Sequence, residues 1–273
     1  MQSKQFFSLS TLFGFGLALT SLACGSAGPS ASAAPATPYV VVHGAWQGAA
    51  DWDEVATQLR SKGATVTVVE LPAHGVDQTP ITDASFAAYT EKVEGVIDGM
   101  SGPVILVGHS FGGMVISAVA EARVAKIQKL IYVAAYVPKD GDSLLTLAQT
   151  DADSHLAPPT LVVDQSAGTA DVAADKRQDV FCAECTPSEL AGLNARYRTE
   201  PLAPLATPVH LTAENWGRVP KYYVYTKNDH AVSYSLQRSM TANSPFVATA
   251  ALDTGHLPFV SNPALMVSTL LGF

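Results

Sequence analysis

From Thr37 onward, short runs of β-branched and aliphatic residues alternate with stretches whose apolar positions recur every three to four residues. Tyr39 to Val42, Thr65 to Leu71, Val104 to Val107, Ile127 to Ala135, Lys221 to Thr226 and Phe246 to Leu252 read as strands. Between them, Asp53 to Ser61 predicts a helix with Val55 and Leu59 turned inward and Gly63 as its stop. Phe86 to Met100 predicts a second, capped by Asp83, with Phe86, Tyr89, Val93 and Val96 on one face. Further helices are expected after Gly113, around Ser233 to Thr241, and from Pro263 to Leu271. Apolar strands separated by helices predict an α/β fold with a mostly parallel sheet covered on both faces. Between about 138 and 217 the rhythm breaks into irregular sequence containing Pro158-Pro159, scattered acids and short helical patterns. So long a stretch is anomalous as a loop, and an inserted helical lid is the simplest account.

Composition narrows the picture. A chain of 273 residues, 48% hydrophobic and 15% charged, suits one large domain, here 38–273. A net charge of −8 without a basic stripe leaves nucleic-acid binding nothing to rest on, and no motif cradles phosphate. Residues 1–23 read as a secretory signal: Lys4 precedes an uncharged apolar stretch from Phe6 to Ala23, broken by Gly14 and Gly16 and followed by small residues. Thr20-Ser21-Leu22-Ala23-Cys24 approximates a bacterial lipobox, which would lipidate Cys24 and give the chain its one route to a membrane. The rival is ordinary cleavage within Ser30 to Ala34. Either way 24–37 is a disordered tether, and the protein is expected in the bacterial periplasm, the cell envelope or the medium. Cys182 and Cys185 could hold zinc only with a second pair of ligands, and none stands at suitable spacing, so a local disulfide is expected after export and no metal.

The chemistry centres on Gly108-His109-Ser110-Phe111-Gly112-Gly113, directly after an apolar strand and directly before a helical pattern. Glycines two residues to either side of a serine mark a sharp strand–turn–helix that lifts the hydroxyl above the sheet edge. A serine nucleophile needs a base, and the base needs an orienting carboxylate. Asp229, after the strand ending at Thr226, and His256, after the strand ending at Leu252, arise at the same sheet edge in the order this architecture uses. His230, His155, His210 and His109 are weaker candidates for the base; Asp253, Asp140 and Asp142 are weaker candidates for the acid. The loop His43-Gly44-Ala45-Trp46 offers the Ala45 N–H to join that of Phe111 as an oxyanion hole, with His43 fixing the loop. Gly44, Trp46, His109 and Leu257 are the candidate substrate contacts, although Trp46 fits plain packing equally well and a residue in the place of His109 ordinarily packs into the core.

These motifs, with Gly75-Val76-Asp77, Asn228-Asp229, Gly255-His256 and Glu214 to Pro220, resemble the α/β-hydrolase superfamily from about Tyr39 to the C-terminus. The likeness is greatest to the branch of plant methyl esterases and hydroxynitrile lyases with its bacterial esterase relatives. The resemblance implies a Ser110–His256–Asp229 triad, oxyanion donors at Ala45 and Phe111, and no cofactor. The lyases of that branch carry a threonine at the position of Gly44 and a lysine at that of Leu257, so the residues here favour hydrolysis of a small ester. The alternatives are a lyase acting on cyanohydrins through the same triad and a non-catalytic small-ligand binder.

Overall fold

The computed structural model describes residues 37–242 and 244–273. The expected signal, Cys24 and all of the tether but its last residue lie outside the described residues. In chain order the elements are β1 (Tyr39–Val42), α1 (Asp53–Ser61), β2 (Val66–Val69), α2 (Phe86–Asp98), β3 (Val104–His109), α3 (Gly112–Ala122) and β4 (Ile127–Val133). There follow α4 (Leu144–Ala148), β5 (Leu161–Asp164), β6 (Thr169–Val172), α5 (Arg177–Cys182), α6 (Pro187–Arg196), β7 (Glu200–Pro201) and α7 (Leu202–Ala206). The chain closes with β8 (Lys221–Thr226), α8 (Tyr234–Ala242), β9 (Ala248–Leu252), α9 (Pro258–Ser261) and α10 (Pro263–Gly272).

The central sheet has six strands in the order β2-β1-β3-β4-β8-β9, and every pairing is parallel. β1 and β3 are buried along their whole length, which explains why they read as unbroken apolar runs rather than alternating ones. Helix α1 packs with α9 and α10, and α2 packs with α3. Because all strands run the same way, the loops after β1, β3, β8 and β9 leave from one edge of the sheet.

The expected elements hold with local differences. Helix α2 is capped by Ser85, whose hydroxyl accepts the Ala88 N–H at 3.1 Å. Asp83 belongs instead to a short 3-10 turn, Ile81–Asp83, and so stands outside the helix it was expected to cap. The inward face of α2 is Phe86, Tyr89, Val93 and Ile97, with Val96 one step round the helix and only partly buried. The insertion is not purely helical: β5, β6 and β7 form an antiparallel three-stranded sheet alongside α4 to α7. β5 is largely exposed, and β7 has only two residues, so neither carries the apolar alternation by which strands are recognised.

Candidate active site

β3 runs into α3 through Ser110, whose φ of +51° is left-handed, a conformation that costs a non-glycine residue of order 1–3 kcal/mol. The turn is held by the Ser110 N–H donating to Val133 O (3.2 Å), and by Gly113 N–H and Tyr136 N–H donating to Ser110 O (3.0 and 3.1 Å). The flanking glycines are required by space. A Cβ on Gly108 would stand 2.7 Å from the Gly112 carbonyl oxygen, and one on Gly112 would stand 2.6 and 2.7 Å from the carbonyl oxygens of Val42 and His43. A Cβ on Gly44 would meet the Ser110 Cβ at 2.8 Å, so the loop after β1 lies against the serine. Among the described residues, neither the Ala45 nor the Phe111 N–H donates to a protein acceptor.

His256 Nδ1 lies 2.8 Å from Asp229 Oδ2, and both residues are buried. The carboxylate is saturated with donors. Its Oδ1 accepts the Ala231 and Val232 N–H groups at 2.8 and 2.9 Å, while Oδ2 also accepts from the Thr226 hydroxyl (2.8 Å) and the Gln237 amide (3.2 Å). Gln237 is in turn pinned through its Oε1, which accepts the Thr226 N–H at 3.0 Å. Such an array holds an ionised carboxylate and fixes the imidazole with its proton on Nδ1, leaving Nε2 as an acceptor. Ser110, Ala45, Trp46 and His256 line one pocket of about 290 Å³ of empty space, closed by Tyr136, Leu144, Leu156, Leu205, Ala231 and Val232. Burial, with the charges of Asp151 and Asp229 nearby, pushes the Tyr136 hydroxyl far up, so it is neutral.

The other candidates are placed elsewhere. His109 is fully buried beneath the site: its Nε2 bonds the His256 carbonyl oxygen at 2.9 Å, and its ring packs on Phe259 and toward Trp52. It therefore supports the His256 loop from below and does not line the pocket, which corrects its expectation as a substrate contact. Gly44 contributes backbone against Ser110, and Leu257 faces an adjoining space of about 350 Å³ with Trp46, Phe181 and Leu190. Trp46 lines both spaces. His43 holds its loop as anticipated, with Nδ1 donating to Gly44 O (2.8 Å) and Nε2 accepting the Leu71 N–H (3.2 Å). Burial, reinforced by the charge on His74, pulls its pKa down to about 3 and keeps it neutral. Asp253 pairs with Lys227, Asp140 accepts the Leu211 N–H, and Asp142 accepts the Lys139 N–H. His230 turns away to Asp179.

The insertion grips the site at points the linear pattern does not announce. Trp46, itself left-handed at φ +61°, donates its N–H to Glu200 of β7 and its indole N–H to the Ala170 carbonyl of β6, each at 2.8 Å. Glu200 also pairs with His74 at 2.8 Å, and both side chains are fully buried. After α5, the sulfurs of Cys182 and Cys185 lie within bonding distance. Between them Glu184 accepts the Gly255 N–H (2.7 Å) and the Ser261 hydroxyl (2.8 Å), one on each side of His256 and Leu257. Phe181 packs between Trp46 and the His256 ring.

A family model described as the alpha/beta hydrolase family matches residues 39–269. The chain belongs to that family. Among curated relatives, the protein named "Putative methylesterase 13, chloroplastic" of Arabidopsis thaliana is 29% identical over 244 residues, 82% of this chain and 53% of that protein. The chain spans about half to two-thirds of the length of the first three such relatives, between 53% and 63%. Among solved structures, polyneuridine aldehyde esterase superposes with a TM-score of 0.76 at 21% identity, over 86% of this chain and 98% of that one. A pyrethroid hydrolase from Sphingobium faniae JZ-2 superposes with a TM-score of 0.76 at 22% identity, over 87% of this chain and 96% of that one. These likenesses establish the fold of the chain as one built on a shared scaffold.

Proposed function

We propose that this hydrolase is an exported serine carboxylesterase that cleaves a small ester through an acyl-enzyme. The carrying observation is the buried 2.8 Å contact between His256 Nδ1 and Asp229 in a pocket that also holds Ser110 at the apex of its strained turn. In the first half-reaction His256 Nε2 takes the Ser110 hydroxyl proton while Oγ attacks the ester carbonyl. The resulting oxyanion is received by the Ala45 and Phe111 N–H groups, one at a loop that glycine lets approach and the other at the start of α3. Collapse expels the alcohol, which leaves with the proton from His256, and water repeats the cycle on the acyl group. Asp229 holds the tautomer and stabilises the imidazolium in both halves.

Pocket lining favours a compact, apolar acyl or alcohol group, since leucine, valine and tyrosine side chains bound the space beside Ser110. The relatives named as esterases and methylesterases support an ester rather than an amide. Against the lyase reading, Leu257 is 1% exposed and carries no charge for a departing cyanide. Export rests on residues 1–23 and attachment on Cys24, both read from sequence; the mass of the mature N-terminus tests them. Turnover is tested with short-chain aryl esters, methyl esters of aromatic acids and mandelonitrile, in wild type and Ser110→Ala. Serine-dependent ester cleavage with inert mandelonitrile is expected. Faster cleavage of mandelonitrile than of any ester would overturn the esterase reading in favour of the lyase, and tight ligand binding without turnover would favour a binding protein.

A further inference from the structure

On the seam between the insertion and the core, three side chains with no part in the proposed reaction converge. His155 lies between α4 and β5, Asp179 on α5, and His230 next to Asp229 in the loop after β8. His155 Nδ1 stands 2.8 Å from Asp179 Oδ2, and His230 Nδ1 stands 3.0 Å from Asp179 Oδ1. The two imidazole centroids are 4.1 Å apart, and the donor atoms of all three residues lie within 4.8 Å of one another. The arrangement is built from the backbone up: the His155 N–H donates to the His230 carbonyl oxygen at 2.8 Å, and the Ser154 hydroxyl donates to the Ala231 carbonyl oxygen at 2.7 Å. The histidines are thus registered against each other before their side chains are considered.

We propose that His155, Asp179 and His230 form a three-ligand site for a divalent transition ion of the zinc type. Two imidazoles and one carboxylate are the ligand set such ions prefer, and a tetrahedral ion with bonds of about 2.0–2.1 Å spaces its ligands at about 3.3 Å, near the 2.8 and 3.0 Å by which each imidazole already stands from the carboxylate. Each imidazole would bind through Nδ1 and carry its proton on Nε2. The side chains are between a third and a half exposed, so solvent can supply the fourth ligand. The ion would close a bridge between α5, which carries Phe181 against Trp46, and the loop whose N–H groups hold Asp229. It would stabilise the closed lid and take no part in the chemistry at Ser110, so the proposal stands independently of the substrate.

The test uses tag-free full-length protein stripped with a chelator. Zn²⁺ is titrated by calorimetry, thermal unfolding is followed with and without Zn²⁺, and the absorption spectrum is recorded with Co²⁺. One ion per chain, a raised Tm and a Co²⁺ spectrum of nitrogen and oxygen ligation are expected. His155→Ala, Asp179→Asn and His230→Ala should each weaken binding at least about tenfold, while His210→Ala, at the exposed histidine beside Asp140, should not. Circular dichroism confirms that each variant is folded, and the three exposed positions supply one another's controls. Absence of stoichiometric binding, or binding undiminished in all three variants, would overturn the site.

Discussion

Replacing Asp229 by asparagine tests the proposed catalytic geometry with one changed atom. Five donors meet the carboxylate: two backbone N–H groups at Oδ1, and His256, Thr226 and Gln237 at Oδ2. The asparagine NH₂ must stand on one side. At Oδ1 it would oppose the Ala231 and Val232 N–H groups, which cannot turn, leaving two buried donor–donor contacts at about 1–3 kcal/mol each. At Oδ2 the Thr226 hydroxyl can rotate to accept, and His256 can accept at Nδ1 by moving its proton to Nε2. Only Gln237 is left opposed, because flipping its amide would lose the Thr226 N–H bond. The second orientation therefore wins, at a stability cost of about 1–3 kcal/mol. In it His256 presents a donor to Ser110 where an acceptor is needed. A fall in kcat of about 10⁴, some 5 kcal/mol of transition-state stabilisation, is expected with little change in KM. The assay is steady-state turnover of a short-chain aryl ester alongside thermal unfolding. A variant that retains kcat within tenfold of wild type, in folded protein, would refute the role given to Asp229.

Other perturbations follow from the same contacts. Gly112→Ala, whose Cβ would press on the backbone oxygens of Val42 and His43, should lower stability by about 1–3 kcal/mol and displace the Ala45 loop, read as a lower Tm with reduced ester turnover. Burial, and then the neighbouring His256, holds His109 well below its ordinary pKa, so the unfolded chain gains a proton the folded one refuses. His43 is held down in the same way, so each of the two histidines should take about 1.4 kcal/mol per pH unit from stability below about pH 6.5, and His109→Leu should remove one of the two contributions, measured by denaturant unfolding between pH 7 and 5. The His74–Glu200 pair has the opposite sign. Burial lowers the His74 pKa, but the charge and hydrogen bond of Glu200 more than offset it, so the net shift is upward. Glu200→Gln should cost about 3–5 kcal/mol at acidic and neutral pH, a difference that shrinks as pH rises through the His74 pKa.

The scaffold and the linear order of the chemistry are written in the chain's own local pattern. Continuous apolar strands such as Val104 to Val107 can bury both faces only in a covered parallel sheet, and the glycines around Ser110 are dictated by backbone contacts within a single strand–turn–helix. The order Ser110, Asp229, His256 is legible for the same reason, since each residue follows its own strand at a common edge. Tertiary structure alone decided what meets across long separations. Ser85 rather than Asp83 caps α2 because Asp83 is taken up in the 3-10 turn Ile81–Asp83 that precedes the helix. Lys221 opens β8 like an exposed charge, yet it is 1% exposed and its ammonium caps the Trp216, Gly217 and Val219 carbonyl oxygens. Glu200 meets Trp46 across 154 residues, and His155, Asp179 and His230 meet from three segments with no shared period or spacing. Periodicity records how one element buries its own face. It carries no record of which polar side chain of a distant insertion will satisfy a donor left over on the core, and that pairing sets how the insertion seats on the core.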